Sequence, residues 1–316
     1  MIIHSEDNPK IGVALGSGSA RGWAHIGVLQ ALADMGVRPG IVAGSSIGAL
    51  VGAAYASKQL DEMEDWVSSL SWKDILGFMD FSLLEGGVLG GEKIINFLGQ
   101  CLGGIDIESL PVSFAAVATD LNSGREVWLR KGDLLENVHA SIALPGLFAP
   151  VRLAEQWLVD GGLVDPVPVS LCRAMGAEIV IAVNLNGGIA TRHANHSHSS
   201  HEKKPAAMIK DMAPWARISS QISTSLNEQK DFVLKKLLGE SRDTPGVFDV
   251  MSSAINIMQD RITRSRMAGD PPDALLTPRL AEIGLLEFDQ AAVTIAEGRA
   301  SVERMRPQLE HILTEL

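Results

Sequence analysis

Three short stretches carry residues whose types and spacing could do chemistry. VAGSSIGALVG, residues 42–52, sets Ser46 between Gly44 and Gly48. Glycines two residues before and after a serine suit a sharp strand-to-helix turn, where side chains would clash. The start of a helix also favours negative charge developing on the serine oxygen. LGSGSARG, residues 15–22, offers Gly16, Ser17, Gly18, Ser19, Arg21 and Gly22 between a strand and a helix. Backbone N–H groups in such a loop can face an anion. WLVDGGLVDPVP, residues 157–168, ends an apolar run on Asp160, followed by Gly161 and Gly162. A carboxyl buried among apolar neighbours has a raised pKa and a stronger pull on a proton.

Each stretch alone has a plainer reading. Ser46 could be a small residue at a crowded junction. The loop could be a tight turn, since a dinucleotide fingerprint counted from Gly16 would end at Arg21, and no Gly-Lys-Ser/Thr marks a P-loop. Asp160 could open a turn, as Asp165 before Pro166 and Asp120 in DLNSG are read to do. A histidine base is disfavoured. His193, His196, His198 and His201 fall in a polar stretch read as a solvated loop rather than a metal site or a preorganised base. His311 sits in a charged terminal helix, and His25 and His139 are read as packing or polar-satisfied residues.

The elements that must carry these stretches change the weighting. Apolar runs at 11–15, 41–43, 112–118, 125–129, 157–159, 179–183 and 274–277 predict strands. Helical spacing marks 24–35, 47–56, 61–70, 91–102, 247–262 and the region near 289–297. The alternation predicts an α/β fold with a mainly parallel sheet. About 28 residues separate the glycine loop from Ser46, the size of one βαβ unit. Parallel neighbours then place both loops at the carboxyl edge of the sheet, where open α/β sheets keep their sites.

The chain of 316 residues is 46% hydrophobic, enough for a large core. It is expected to form a single domain over 1–316. The core spans about 8–186, a mobile loop 187–206, and a C-terminal helical region with a last strand 207–316. A net charge of -11 argues against nucleic acid. Cys101 and Cys172 form no disulfide or zinc pattern. The opening MIIHSEDNPK lacks the features of a signal peptide, so a soluble, cytoplasmic protein is expected. Residues 201–280 hold 12 Lys and Arg against 10 Asp and Glu, and include helical patterns with Trp215, Phe232, Met251 and Met258. They are read first as helices packed on the sheet. Peripheral membrane contact, with Arg261, Arg264 and Arg266 near headgroups, is the alternative.

Taken in order, the three stretches resemble the patatin-like phospholipase family. The family pattern is a glycine-rich anion loop with a basic residue, then G-x-S-x-G, then D-G-G or D-G-A. ARGWAHIGVLQAL, VAGSSIGALVGAAYA, ASIALPGLFAPV, WLVDGGLVDPVPVSL and MAGDPPDALLTP are similar to the bacterial RssA-type branch, related to the catalytic domain of neuropathy target esterase. The resemblance implies a three-layer α/β/α sandwich and a Ser-Asp dyad without histidine. Ser46 would be the nucleophile and Asp160 the general base. N–H groups around Gly18 and Ser19 would hold the oxyanion, and Arg21 would anchor the loop or meet a lipid phosphate. The stretch 144–150 would shape an acyl pocket. Many members have glycine where Ser17 and Ser19 stand. The implied function is a serine acyl hydrolase of phospholipids, lysophospholipids or related esters, with no metal or cofactor. The alternative is a weakly active lipid- or protein-binding regulator on the same fold.

Overall fold

A computed structural model describes residues 10–71, 92–187 and 247–314. The expected mobile loop from 188 onward and the patterns around Trp215 and Phe232 lie outside them. Contacts divide the chain into two units, Met1–Ala190 with Met258–Leu316, and Thr191–Ile257. Residues 247–257 of the second unit are the opening turns of a helix.

Eight strands form one sheet. They are β1 (Ile11–Leu15), β2 (Ile41–Ser45), β3 (Ser113–Asp120), β4 (Glu126–Leu129), β5 (Val151–Leu153), β6 (Gln156–Asp160), β7 (Ile179–Val183) and β8 (Ala274–Leu276). The order is β5-β6-β3-β2-β1-β7-β8, with β4 also on β3. β1, β2, β3, β7 and β8 pair in parallel. β4, β5 and β6 pair antiparallel. Every residue of β2 and β7 is buried, which explains why these strands read as unbroken apolar runs.

The described helices are α1 (Ala24–Asp34), α2 (Ile47–Ala56), α3 (Leu60–Ser69), α4 (Glu92–Leu102), α5 (Leu134–Ile142), α6 (Val169–Ala174), α7 (Val247–Gly269) and α8 (Ala291–Thr314). One sheet face presents Val13, Leu15, Val42, Phe114, Ala116 and Ile181 to α1, α2, α5 and α8. Alternate residues Ala14, Ala43, Ala115, Val117, Val180 and Ala182 face Val169, Leu171 and Cys172, with Met267 of α7 beside them. The result is a three-layer α/β/α sandwich. None of the described helices is long and apolar enough to cross a membrane.

Several elements go beyond their sequence reading, among them α5, α6, β5 and α8. β5 is only three residues long, too short to show a period. α8 runs on through Gly298 and Pro307, well past the helix expected near 289–297. Gly298 is there for contact. A Cβ on it would stand 2.0 Å from the Ala24 carbonyl oxygen, and a Cβ on Gly27 would stand 2.0 Å from the Ile295 oxygen. α1 and α8 thus cross backbone to backbone at two reciprocal glycines. Gly27→Ala is expected to cost about 1–3 kcal/mol by forcing the helices apart. The Gly27→Ala, Gly298→Ala pair should cost less than the sum, because one separation accommodates both methyl groups. Thermal unfolding followed by circular dichroism measures both.

Candidate active site

The pairing of β3 explains how residues 114 apart in sequence come together. β4 pairs with 116–119 of β3. β2 pairs as far as Val117, opposite Ser45, and β6 pairs from Ala118, opposite Asp160. Both ranges overlap that of β4. A strand has two edges, so β2 and β6 share the other one, end to end. Ser45 and Asp160 therefore oppose consecutive residues of β3, about 3.4 Å apart along the strand.

β2 has to leave that edge at once to make room for β6, and Ser46 makes the turn. Its backbone has φ 56 and ψ -126, a sparsely populated conformation for a side-chain-bearing residue. The flanking glycines permit it. A Cβ on Gly44 would lie 2.4 Å from Ala49 Cα, and one on Gly48 would lie 2.1 Å from the Leu15 oxygen. The Ser46 N–H donates to Ser141 Oγ at 3.0 Å, and that hydroxyl donates to the Val117 oxygen at 2.6 Å. Thr119 Oγ1 holds the Asp160 carbonyl at 2.8 Å. Ser141 and Thr119 carry no motif, and sequence reasoning passed over both.

Ser46 Oγ donates to Asp160 Oδ2 at 2.5 Å. Asp160 Oδ1 accepts the Gly162 N–H at 2.7 Å. The carboxyl is 1% exposed, and burial pushes its pKa up to about 7, against the pull of these two hydrogen bonds. Ser46, at 9%, keeps a narrow opening to solvent. A hydroxyl bonded to a carboxyl that titrates near neutrality can hand over its proton as the oxygen attacks an electrophile. Gly161 and Gly162 allow this approach: a Cβ on Gly161 would meet the Val117 oxygen at 2.2 Å. One on Gly162 would meet Ser17 Oγ at 2.8 Å and Asp160 Oδ1 at 2.9 Å. The glycine loop and the carboxyl thus pack around the same point.

The loop also touches the turn at Ser46, since a Cβ on Gly22 would lie 2.1 Å from Ile47 Cγ1. The N–H groups of Gly16, Ser17, Ala20 and Arg21 donate to the carbonyls of Val183, Pro166, Leu285 and Gly18. Those of Gly18 and Ser19 meet no acceptor among the described residues. Arg21 is 2% exposed, and its Nη1 donates to Asn186 Oδ1 at 3.1 Å. Burial pulls its pKa down to about 10. Asn186 Nδ2 reaches the Ser17 carbonyl at 3.4 Å and Gln259 Oε1 at 2.9 Å. His25 Nε2 lies 2.7 Å from the Gly16 carbonyl, so it carries the proton there. Burial lowers His25 to about 4, leaving the ring neutral at pH 7. The only signal for Asn186 was a polar residue just past a buried strand at the carboxyl edge.

Asp120 folds its own turn, accepting from Ser123 and Asn122. Asp165 differs from its reading as a turn residue. It is buried, with Oδ1 3.0 Å from Arg266 Nε, and Arg266 also bonds Glu126. Burial and the Glu126 carboxylate both push Asp165 up, and Arg266 opposes them. Of the three arginines considered for headgroup contact, Arg266 is tied to Asp165 and Glu126, and Arg264 pairs with Asp260 while its own side chain stays exposed. His193, His196, His198 and His201 lie outside the described residues.

Known families and proteins show similarity to this chain. The family model for patatin-like phospholipases matches residues 13–173. An uncharacterized NTE family protein of Mycobacterium tuberculosis is 34% identical over 329 residues, covering 94% of this chain and 91% of its own length. A patatin-like phospholipase domain-containing protein of Caenorhabditis elegans is 33% identical over 184 residues, 55% of this chain and 13% of that protein. Among solved structures, VipD from Legionella pneumophila aligns with TM-score 0.43 and 14% identity, over 95% of this chain and 67% of that one. With the family model spanning just over half of the residues and a relative at 34% identity over nearly all of them, the chain belongs to the patatin-like phospholipase family.

Proposed function

We propose that the protein is a serine acyl hydrolase of phospholipids, lysophospholipids or related carboxylic esters, working through Ser46 and Asp160. Membership of a family of lipid hydrolases gives the reaction class. The observation that carries the finer reading is the 2.5 Å hydrogen bond between Ser46 Oγ and a buried carboxyl that titrates near pH 7. Ser46 Oγ attacks the ester carbonyl while its proton passes to Asp160 Oδ2. The carbonyl oxygen becomes an oxyanion, held by the N–H groups of Gly18 and Ser19. Asp160 then returns the proton to the departing alkoxide, leaving an acyl-serine. Water gives a proton to Asp160 and attacks the acyl carbon. Collapse releases the carboxylic acid, and the proton goes back to Ser46. The scheme calls for no metal or organic cofactor. Each oxyanion donor is worth about 2.7–4 kcal/mol in the transition state. A regulator that only binds lipid would keep the geometry without turnover, and the first experiment below separates the two.

A fluorophosphonate probe is expected to label the native protein and to leave Ser46→Ala unlabelled. An unlabelled native protein would support the binding-only reading. Asp160→Asn should lower hydrolysis of a short-chain ester by at least about a hundredfold. The base must be ionised, so kcat/KM is expected to fall about tenfold per pH unit below 7 and to level off above it. The linkage has the opposite sign for stability. Burial raises the Asp160 pKa, so the folded form favours the protonated acid. That contribution is complete below the ordinary carboxylate range near 4 and is lost as pH rises through 7. Asp160→Asn, which cannot ionise, should therefore unfold at a higher temperature than the native protein at pH 8. The gap, at most about 4 kcal/mol, should close toward pH 4. Calorimetry at several pH values measures it.

A further inference from the structure

Ser19 has φ 52, in the left-handed region that favours glycine. A side chain held there strains the backbone, so its retention asks for a compensating contact. The contact is visible. Ser19 Oγ donates to the Leu285 carbonyl at 2.6 Å, and the Ala20 N–H donates to the same oxygen at 3.2 Å. Four residues after Ser19, Trp23 Nε1 donates to the Phe288 carbonyl at 3.1 Å, and the two rings meet edge to face with centroids 5.8 Å apart. The segment that accepts these bonds is itself braced. Glu287 Oε2 holds the Gly284 N–H at 2.8 Å, and Ile283 and Phe288 pack on the main core. On its other side, the loop is pinned by Leu185, which a Cβ on Gly18 would meet at 2.7 Å.

We infer that Ser19 is a positioning residue, whose side chain clamps the glycine loop to Leu285 and so keeps the Gly18 and Ser19 N–H groups aimed at one point. A loop built on glycines can rotate its peptide planes at little cost. A rotated peptide presents a carbonyl where a donor should be and removes transition-state stabilisation. The clamp makes the segment 285–288 part of the loop's support, though it lies 266 residues away in sequence. The bearing of the clamp on turnover rests on the oxyanion reading above, whereas the clamp itself does not.

Ser19→Gly and Ser19→Ala both delete the hydroxyl, and only Ser19→Gly relieves the backbone strain. If the hydroxyl is what matters, both variants should lower kcat for a soluble 4-nitrophenyl ester by roughly tenfold with KM nearly unchanged, the mark of an interaction made in the transition state. Amide hydrogen exchange at Ala20 should also quicken by about tenfold or more in both, with little change in global unfolding. A fully active Ser19→Gly with quickened exchange would overturn the catalytic bearing. Unchanged exchange at Ala20 would overturn the clamp. If the native protein itself fails to turn over any ester, the hydrolase reading falls, and the exchange measurement still decides the clamp.

Discussion

The site depends on one edge of β3 being divided between two strands. β2 occupies it up to Val117 and β6 takes over at Ala118. Hydrogen-bond register, rather than any attraction between hydroxyl and carboxyl, sets how near Ser46 and Asp160 come. The strained turn at Ser46 follows from the same constraint, since β2 must vacate the edge within one residue. The glycines around it follow in turn, because the departing chain passes within van der Waals contact of Ala49 and Leu15. A register slip of one residue would turn Asp160 to the other face of the sheet.

Burial raises proton affinity and strains the fold together. Asp160 lies where a carboxylate is poorly solvated, which raises its affinity for a proton and costs stability once it ionises. The surroundings moderate this with one N–H and one hydroxyl rather than a cation, so the group stays poised instead of being locked as an anion. Arg21, the cation nearest in sequence to the glycine loop, bonds Asn186 instead. Asp165 is equally buried and only five residues away. It faces both Arg266 and Glu126, and burial together with that second carboxylate pushes it up against the pull of Arg266.

What was legible in the sequence was what leaves a local mark. Gly44, Gly48, Gly161 and Gly162 are glycines because of close approaches, and such spacing survives in one dimension. The alternation of apolar runs gave the sheet and its carboxyl edge. The supporting residues left no such mark. Ser141, Thr119, Asn186, Gln259 and Leu285 are common residue types in ordinary neighbourhoods, and their roles arise only from contacts with distant segments. The extent of α8 was hidden for the opposite reason. Gly298 gives a strong local signal for ending a helix, and its cause is the backbone of α1 across the crossing.

The end-to-end arrangement on β3 also bears on biosynthesis. The ribosome delivers the hydroxyl early and the carboxyl more than a hundred residues later. The strand that must present them together lies between the two. A nascent chain that has exposed only Ser46 cannot yet assemble the pair. The two groups would meet at one step of folding, when β6 docks on β3, rather than drawing together gradually along the emerging polypeptide.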